Sequence, residues 1–287
     1  MAIDYQTLKN WPIADQRSRY TREDCIRYAL SLGYGEDPLD AEELPFVYED
    51  GLRAVPSMLT VLGAPGAWAT DPGTGIDWMR ILHGEHRMVL HGSLPPEGCL
   101  RSRTRVSAVV DKGQGRGALV VTTREVSDEA TGQLLATIEH TSFCRADGGF
   151  GPGDDAPAAL PTVPAEPADT TVQLRTLPGA ALLYRLNGDR NPIHADPAAA
   201  RSAGFERPIL HGLCTYGMAV RAVLRACCDN RPERLASFSL RFSAPFMPGE
   251  TLAVEIWRRG AQLQFRASAL ERRQAVLTHG LATVHGA

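Results

Sequence analysis

Four stretches in each half of the chain alternate apolar and polar residues, and this alternation predicts strands. In the first half they are Arg87–Leu94, Cys99–Asp111, Ala118–Val126 and Leu134–Arg145. In the second half they are Leu235–Phe246, Thr251–Arg259, Leu263–Glu271 and Ala275–Val284. Helical signals precede them. Thr21 and Asp24 form a capping pair for a helix ending at Gly33. Leu182 to Leu186 reads as a short helix stopped by Gly188, and Asp196 with Pro197 starts another that ends near Gly204. Gly212 opens a long helix to about Cys228, with Leu213, Val220, Val223, Leu224 and Cys227 on its apolar face and small residues nearly all round. A helix so apolar is expected to be wrapped by a sheet.

One long helix wrapped by an antiparallel sheet is a hot-dog unit, and two tandem copies give an α+β, double hot-dog fold. The expected division is an N-terminal unit at 1–147, a linker at 148–171 and a C-terminal unit at 172–287. The linker is rich in Gly, Pro, Ala and Asp and has neither helical nor strand periodicity, so it reads as an exposed connector. Short matches occur in the same order in both halves: "LHGE" (Leu82–Glu85) with "LHGL" (Leu210–Leu213), then "PEGCL" (Pro96–Leu100) with "PGETL" (Pro248–Leu252). Their order indicates duplication. The copies differ in one respect. After His211-Gly212 there is room for a long helix, whereas after His83-Gly84 strand-like sequence begins at once. The first half is therefore expected to lack its central helix there, leaving an open cavity.

Composition narrows the function. The 287 residues are 44% hydrophobic and 22% charged, enough to bury a sizeable core. A formal net charge of -3 argues against a nucleic-acid partner. Six cysteines without C-x-x-C spacing suggest buried reduced thiols in a cytoplasmic protein and no zinc site. The first residues do not read as a secretory signal, and "VHGA" matches no peroxisomal tripeptide. The most apolar run, "GLCTYGMAVRAVLRACC", is interrupted by Arg221 and Arg225, so no membrane span is expected.

Candidate chemistry gathers in "YRLNGDRNPIHADP", Tyr184 to Pro197. The spacing sets Asp189 and His194 around a tight turn in which Pro192 fixes φ and keeps Asn191 from helical geometry. A carboxylate and an imidazole aimed at one point can hold and deprotonate a water, since imidazole exchanges protons near neutrality. At the start of the long helix, the Gly212 N–H has no intrahelical partner, and the helix dipole adds positive potential there. Glycine allows a carbonyl to approach, so this N–H suits a developing oxyanion. The implied chemistry is water attack on a carbon conjugated to a thioester carbonyl, through an enolate. Other readings stay open. Asp189 and His194 can be plain turn residues, Asp196 a helix cap, and His211 a buried hydrogen-bonded histidine or a group facing substrate beside Gly212. Asp189, His194 and His211 also supply the ligand types of a two-histidine, one-carboxylate metal site. Asparagine and glycine at fixed places fit water addition better, so no metal is expected.

The stretch "YRLNGDRNPIHADPAAARSAGFERPILHGLCTYG" resembles the hydratase 2 motif of MaoC-like (R)-specific 2-enoyl-CoA hydratases over more than thirty residues. "YALSLGYGEDPLDAEELPFVYE", "LHGEHRMVLHGSLPPEG" and "RADGGFG" are similar to the N-terminal domain of the two-domain members, so the resemblance covers nearly the whole chain. It implies that Asp189 and His194 activate water, that Asn191 assists by hydrogen bonding in the pocket and that the Gly212 N–H receives the thioester oxygen. The implied reaction is reversible addition of water to a trans-2-enoyl-CoA, giving the (R)-3-hydroxyacyl-CoA, without metal or redox cofactor. An acyl-CoA substrate and a homodimer follow from the same resemblance, as does an N-terminal unit that gave up its helix to accommodate a bulky acyl chain. "GYGEDPLD" (Gly33–Asp40) is a worn copy of the motif with Asp40 where His194 would stand, which implies one active site per chain. Three rivals remain: a dehydratase acting on acyl-carrier-protein substrates, a thioesterase, and a catalytically silent acyl-CoA-binding subunit. The long helix contains no Asp or Glu, which counts against the thioesterase.

Overall fold

A computed structural model describes residues 3–286. Short helix α1 (Tyr5–Lys9) and strand β1 (Gln16–Tyr20) lead into α2 (Arg22–Ser31). Strands β2 (Ile81–Leu90), β3 (Gly98–Asp111), β4 (Ala118–Asp128) and β5 (Leu134–Cys144) complete the first half. The second half holds β6 (Thr170–Arg175), α3 (Ala180–Tyr184), α4 (Pro197–Ser202), α5 (Gly212–Cys227), then β7 (Leu235–Phe242), β8 (Thr251–Arg259), β9 (Gln262–Ala269) and β10 (Gln274–Val284).

The ten strands form one antiparallel sheet in the order β1-β3-β4-β5-β2-β7-β10-β9-β8-β6. The seam is the β2–β7 pair, with Met88 opposite Phe238. Outward from it, β2-β5-β4-β3-β1 repeats as β7-β10-β9-β8-β6. This is the double hot-dog fold, and the mirrored order is the mark of duplication. The "PEGCL" and "PGETL" segments open the equivalent strands β3 and β8. The "LHGE" match is corrected: Leu82 to Glu85 lies inside β2, whereas Leu210 to Leu213 enters α5, so the two are not equivalent. Each half also has an early strand, β1 or β6, that the alternation did not predict. β1 is "QRSRY", with only Tyr20 buried, so its pattern is nearly all polar. β6 starts at Thr170 and thus takes the last two residues of the predicted linker.

α5 is the central helix, and its apolar side chains are buried almost completely, each contributing about 1.5–3 kcal/mol. Phe238 and Phe265 stack beneath it, and the Tyr216 hydroxyl donates to the Phe238 carbonyl at 2.9 Å. The end of α2 comes near it: a Cβ on Gly217 would come within 2.7 Å of the Leu32 side chain, so a larger residue there would have to push Leu32 aside. The predicted Thr21–Asp24 capping box starts α2, and Gly33 follows it at φ +86°.

The first half has no counterpart of α5, as its sequence suggested, but the space is not simply open. Between α2 and β2 the chain forms five 3-10 turns, of which Pro56–Thr60 is wholly buried and packs against α5. Arg124 of β4 ties this segment down by donating to the carbonyls of Leu59, Thr60 and Leu62. A buried ion pair also joins the halves. Arg221 of α5 donates to both carboxylate oxygens of Glu43 at 2.7 Å each, and to the Leu32 carbonyl at 3.2 Å. The linker, residues 145–169, has no regular structure yet is pinned on both sides. Asp154 accepts from Lys9, Tyr5 and the Val109 N–H, and Trp257 Nε1 donates to the Glu166 carbonyl.

Candidate active site

α3 continues through a 3-10 turn, Arg185–Asn187, and stops at Gly188, whose φ of +122° suits only glycine. The chain then bends sharply. Asp189 Oδ1 accepts from the Asn191 N–H at 3.0 Å, and Asn191 Oδ1 accepts from the Ile193 N–H at 3.2 Å. These two side-chain turns, with Pro192 opening a 3-10 turn, hold the bend rigid and swing His194 inward. Asn191 itself is exposed, and its side-chain oxygen is committed to the turn; its amide NH2 keeps its donors free. Asp196 caps α4 through the Ala198 N–H.

The bend meets the start of α5. One ligand-type atom from each of Asp189, His194 and His211 lies within 4.8 Å of the others. The His194 and His211 rings stack at 3.7 Å with 24° between their planes. His194 Nδ1 donates to the Ile209 carbonyl at 2.9 Å, which leaves Nε2 as the bare nitrogen. His211 Nε2 donates to the backbone carbonyl of Asp189 at 3.1 Å, so this ring clamps the bend to the helix mouth. His211 Nδ1 is buried without a partner, and Tyr184 packs beneath the ring at 5.0 Å. Burial pushes both imidazoles below their ordinary pKa, His211 to about 4. The Arg185 charge pushes the same way; Asp189 opposes it. Both rings are therefore neutral at neutral pH.

Gly212 is the first residue of α5, after the N-cap His211. Its N–H makes no hydrogen bond among the described residues; the first ladder bonds to His211 O come from Cys214 and Thr215. A Cβ on Gly212 would press the Phe242 ring at 3.3 Å. The structure thus brings Asp189, His194, His211 and Gly212 together, with Asn191 at the rim. Sequence reasoning did not single out Ile209 or Phe242. The first holds His194 through a backbone carbonyl and the second packs against Gly212, so neither leaves a motif.

The worn copy in the first half serves as turns. Asp37 accepts from Leu39 N–H, Asp40 accepts from the Glu42 and Glu43 N–H groups, and Asp40 also approaches Arg225 at 3.6 Å. An apolar cavity of about 430 Å³ lies between α2, α3 and α5, lined by Leu30, Leu32, Tyr34, Leu177, Leu183 and Met218. Ser31 in its wall is held by Asn187, two residues before Asp189. Among the described residues, no helix is long and apolar enough to cross a membrane.

Comparison with known proteins agrees with this fold. Residues 160–279 match the MaoC like domain, and residues 18–146 match the MFE-2 hydratase 2 N-terminal domain. The chain is 36% identical to the enoyl-CoA hydratase ChsH3 of Mycobacterium tuberculosis, over 99% of both proteins. It is 39% identical to the peroxisomal multifunctional enzyme type 2 of Drosophila melanogaster over 90% of this chain but 44% of that enzyme, so it spans less than half of that relative. The crystal structure of a MaoC-like dehydratase from Phytophthora capsici superposes with a TM-score of 0.87 at 30% identity, over 98% of each chain. The chain belongs to the two-domain MaoC-like hydratase 2 family.

Proposed function

We infer that this protein is a hydro-lyase that reversibly adds water to trans-2-enoyl-CoA thioesters, giving (R)-3-hydroxyacyl-CoA. The observation that carries the reading is the convergence of Asp189 and His194 on the mouth of α5, where the Gly212 N–H is unused. The thioester oxygen accepts from that N–H. His194 Nε2 takes a proton from a water that the Asp189 carboxylate orients. The water oxygen bonds to C3 as the π electrons move onto the thioester oxygen. The resulting enolate collapses by taking a proton at C2, which returns the base to its starting state. An oxyanion donor of this kind contributes about 3 kcal/mol to lowering the barrier. Polarisation by an amide and proton transfer by an imidazole complete the cycle, so the reaction is proposed to need no metal or redox cofactor.

The acyl chain is assigned to the apolar cavity beside Ser31, with the first half as its shelter and the second as the chemical half. A homodimer and a cytoplasmic location complete the proposal. The location is supported by six free cysteines, five of them buried, which suit a reducing compartment. Light scattering in solution checks the dimer.

Loss of the conjugated enoyl absorbance with crotonyl-CoA and longer enoyl-CoAs tests the function. Turnover of the CoA esters is expected. Activity confined to acyl-carrier-protein substrates would assign the rival dehydratase, and release of free CoA thiol would assign a thioesterase. Met218→Phe, which fills the cavity, is expected to lower kcat/KM for long chains and spare crotonyl-CoA.

A further inference from the structure

A second cluster of imidazoles lies outside the reaction centre. His83 and His86 come from β2 and His140 from β5. Residues three apart on a strand normally face opposite sides, but a bulge at Gly84 shifts the register between His83 and Glu85 and turns both rings to the face that packs on α5. His140 is the direct cross-strand partner of His86. One ring nitrogen of each lies within 4.8 Å of the other two.

Three features go beyond a chance packing of aromatic rings. His83 Nε2 and His86 Nδ1 are 3.2 Å apart; two imidazole nitrogens on a tetrahedral zinc are separated by about 3.4 Å, given metal–nitrogen bonds near 2.1 Å. His140 Nε2 lies 3.1 Å from Ser142 Oγ, which steadies the ring and leaves Nδ1 for a ligand, the usual outer support of a metal-bound imidazole. His86 is buried with Nδ1 turned to His83 and Nε2 without a partner, so a ring with two polar atoms is kept inside the sheet packing although only one of them is met.

We propose that His83, His86 and His140 bind one transition-metal dication, separately from the reaction centre. The Phe242 ring touches both places: its centroid lies 4.2 Å from that of His83 at a tilt of 44°, and its edge lies against Gly212. The bound ion staples β2 to β5 beneath Tyr216 of α5, whose ring lies 5.0 Å from His86, and its binding free energy adds to folding. Three imidazole ligands select Zn2+, Cu2+ or Ni2+ over Mg2+ or Ca2+, which prefer oxygen ligands.

The test is metal uptake by the whole chain after chelation, with Zn2+ counted by elemental analysis and Co2+ followed by its tetrahedral absorption bands. One equivalent is expected in the parent protein and in His194→Gln, which disables the cluster of Asp189, His194 and His211. His86→Gln and His140→Gln are each expected to weaken binding more than about tenfold, and Ser142→Ala about tenfold, the usual cost of losing an outer partner. If one histidine variant misfolds by circular dichroism, the other and Ser142→Ala carry the test. Absence of uptake overturns the proposal, as does uptake lost in His194→Gln and kept in His86→Gln. Because the readout is bound metal, failure here leaves the hydratase reading standing.

Discussion

Asp189 and His194 are each fixed by a separate neighbour, Asp189 by the Asn191 N–H and His194 by the Ile209 carbonyl. Asp189→Asn keeps the turn acceptor and removes the charge. It is expected to lower kcat by about a hundred- to ten-thousandfold, with an unchanged melting curve; normal turnover would remove Asp189 from the mechanism. The pH profile follows from His194. In the proposed mechanism its neutral form is the base, and burial depresses its pKa. The acid limb of kcat/KM is therefore expected below pH 6.5, the ordinary imidazole value, with activity rising through it as pH rises. A limb at or above that value would contradict the buried ring. The same sign governs stability. The neutral His211 ring contributes fully above the unfolded pKa, and that contribution is lost as pH falls from about 6.5 through the folded value of about 4. Denaturant titrations across that window should show the loss. Asp189, His194 and Asn191 were legible in the sequence because a rigid turn has a local code of Asp, Asn, Gly and Pro. The ring nitrogen that His194 exposes was not, because a backbone carbonyl fifteen residues away decides it.

α5 joins packing to chemistry. The proposed mechanism needs an unpaired N–H at its start, and the backbone of His211, at φ -60° and ψ 136°, tolerates a following proline. Proline is also accepted at the first helical position. Gly212→Pro therefore deletes the donor and retains the helix, while Gly212→Ala adds only the Cβ that presses Phe242. Kinetics of the two variants separate the effects. Proline is expected to cost about a hundred- to a thousandfold in kcat beyond alanine; equal losses would show that the N–H does not matter. The helix was legible because its apolar run is long and glycine marks its entry. β1 was not legible, because an edge strand is defined by its hydrogen bonds to β3 while its side chains stay largely polar. The "LHGE" match misled for a related reason: three shared letters fell in a strand in one half and at a helix mouth in the other, and pairing partners decided which.

Across the whole molecule, the halves are joined by the β2–β7 seam and by the Glu43–Arg221 pair, both of whose side chains are almost fully buried. Glu43→Gln leaves a buried guanidinium unpaired and is expected to cost roughly 3–5 kcal/mol of stability in denaturant unfolding. Replacing both, Glu43→Leu with Arg221→Met, should recover most of it; a cost below 1 kcal/mol for the single change, about that of an exposed pair, would show that the charge is not buried in solution. An arginine in the most apolar stretch of the chain was itself a signal that an acid must meet it, but the acid lies 178 residues away and no local pattern names it. The sequence by itself determined the strand and helix periodicities, the duplication, the rigid turn and the glycine entrance to α5, because each is written in residues close together along the chain. The tertiary structure alone decided which strands meet at the seam, what fills the place of the missing helix, which nitrogen of His194 is free and that His83, His86 and His140 share one face. Those depend on contacts between distant segments and on backbone groups that every residue carries alike, so no local code records them.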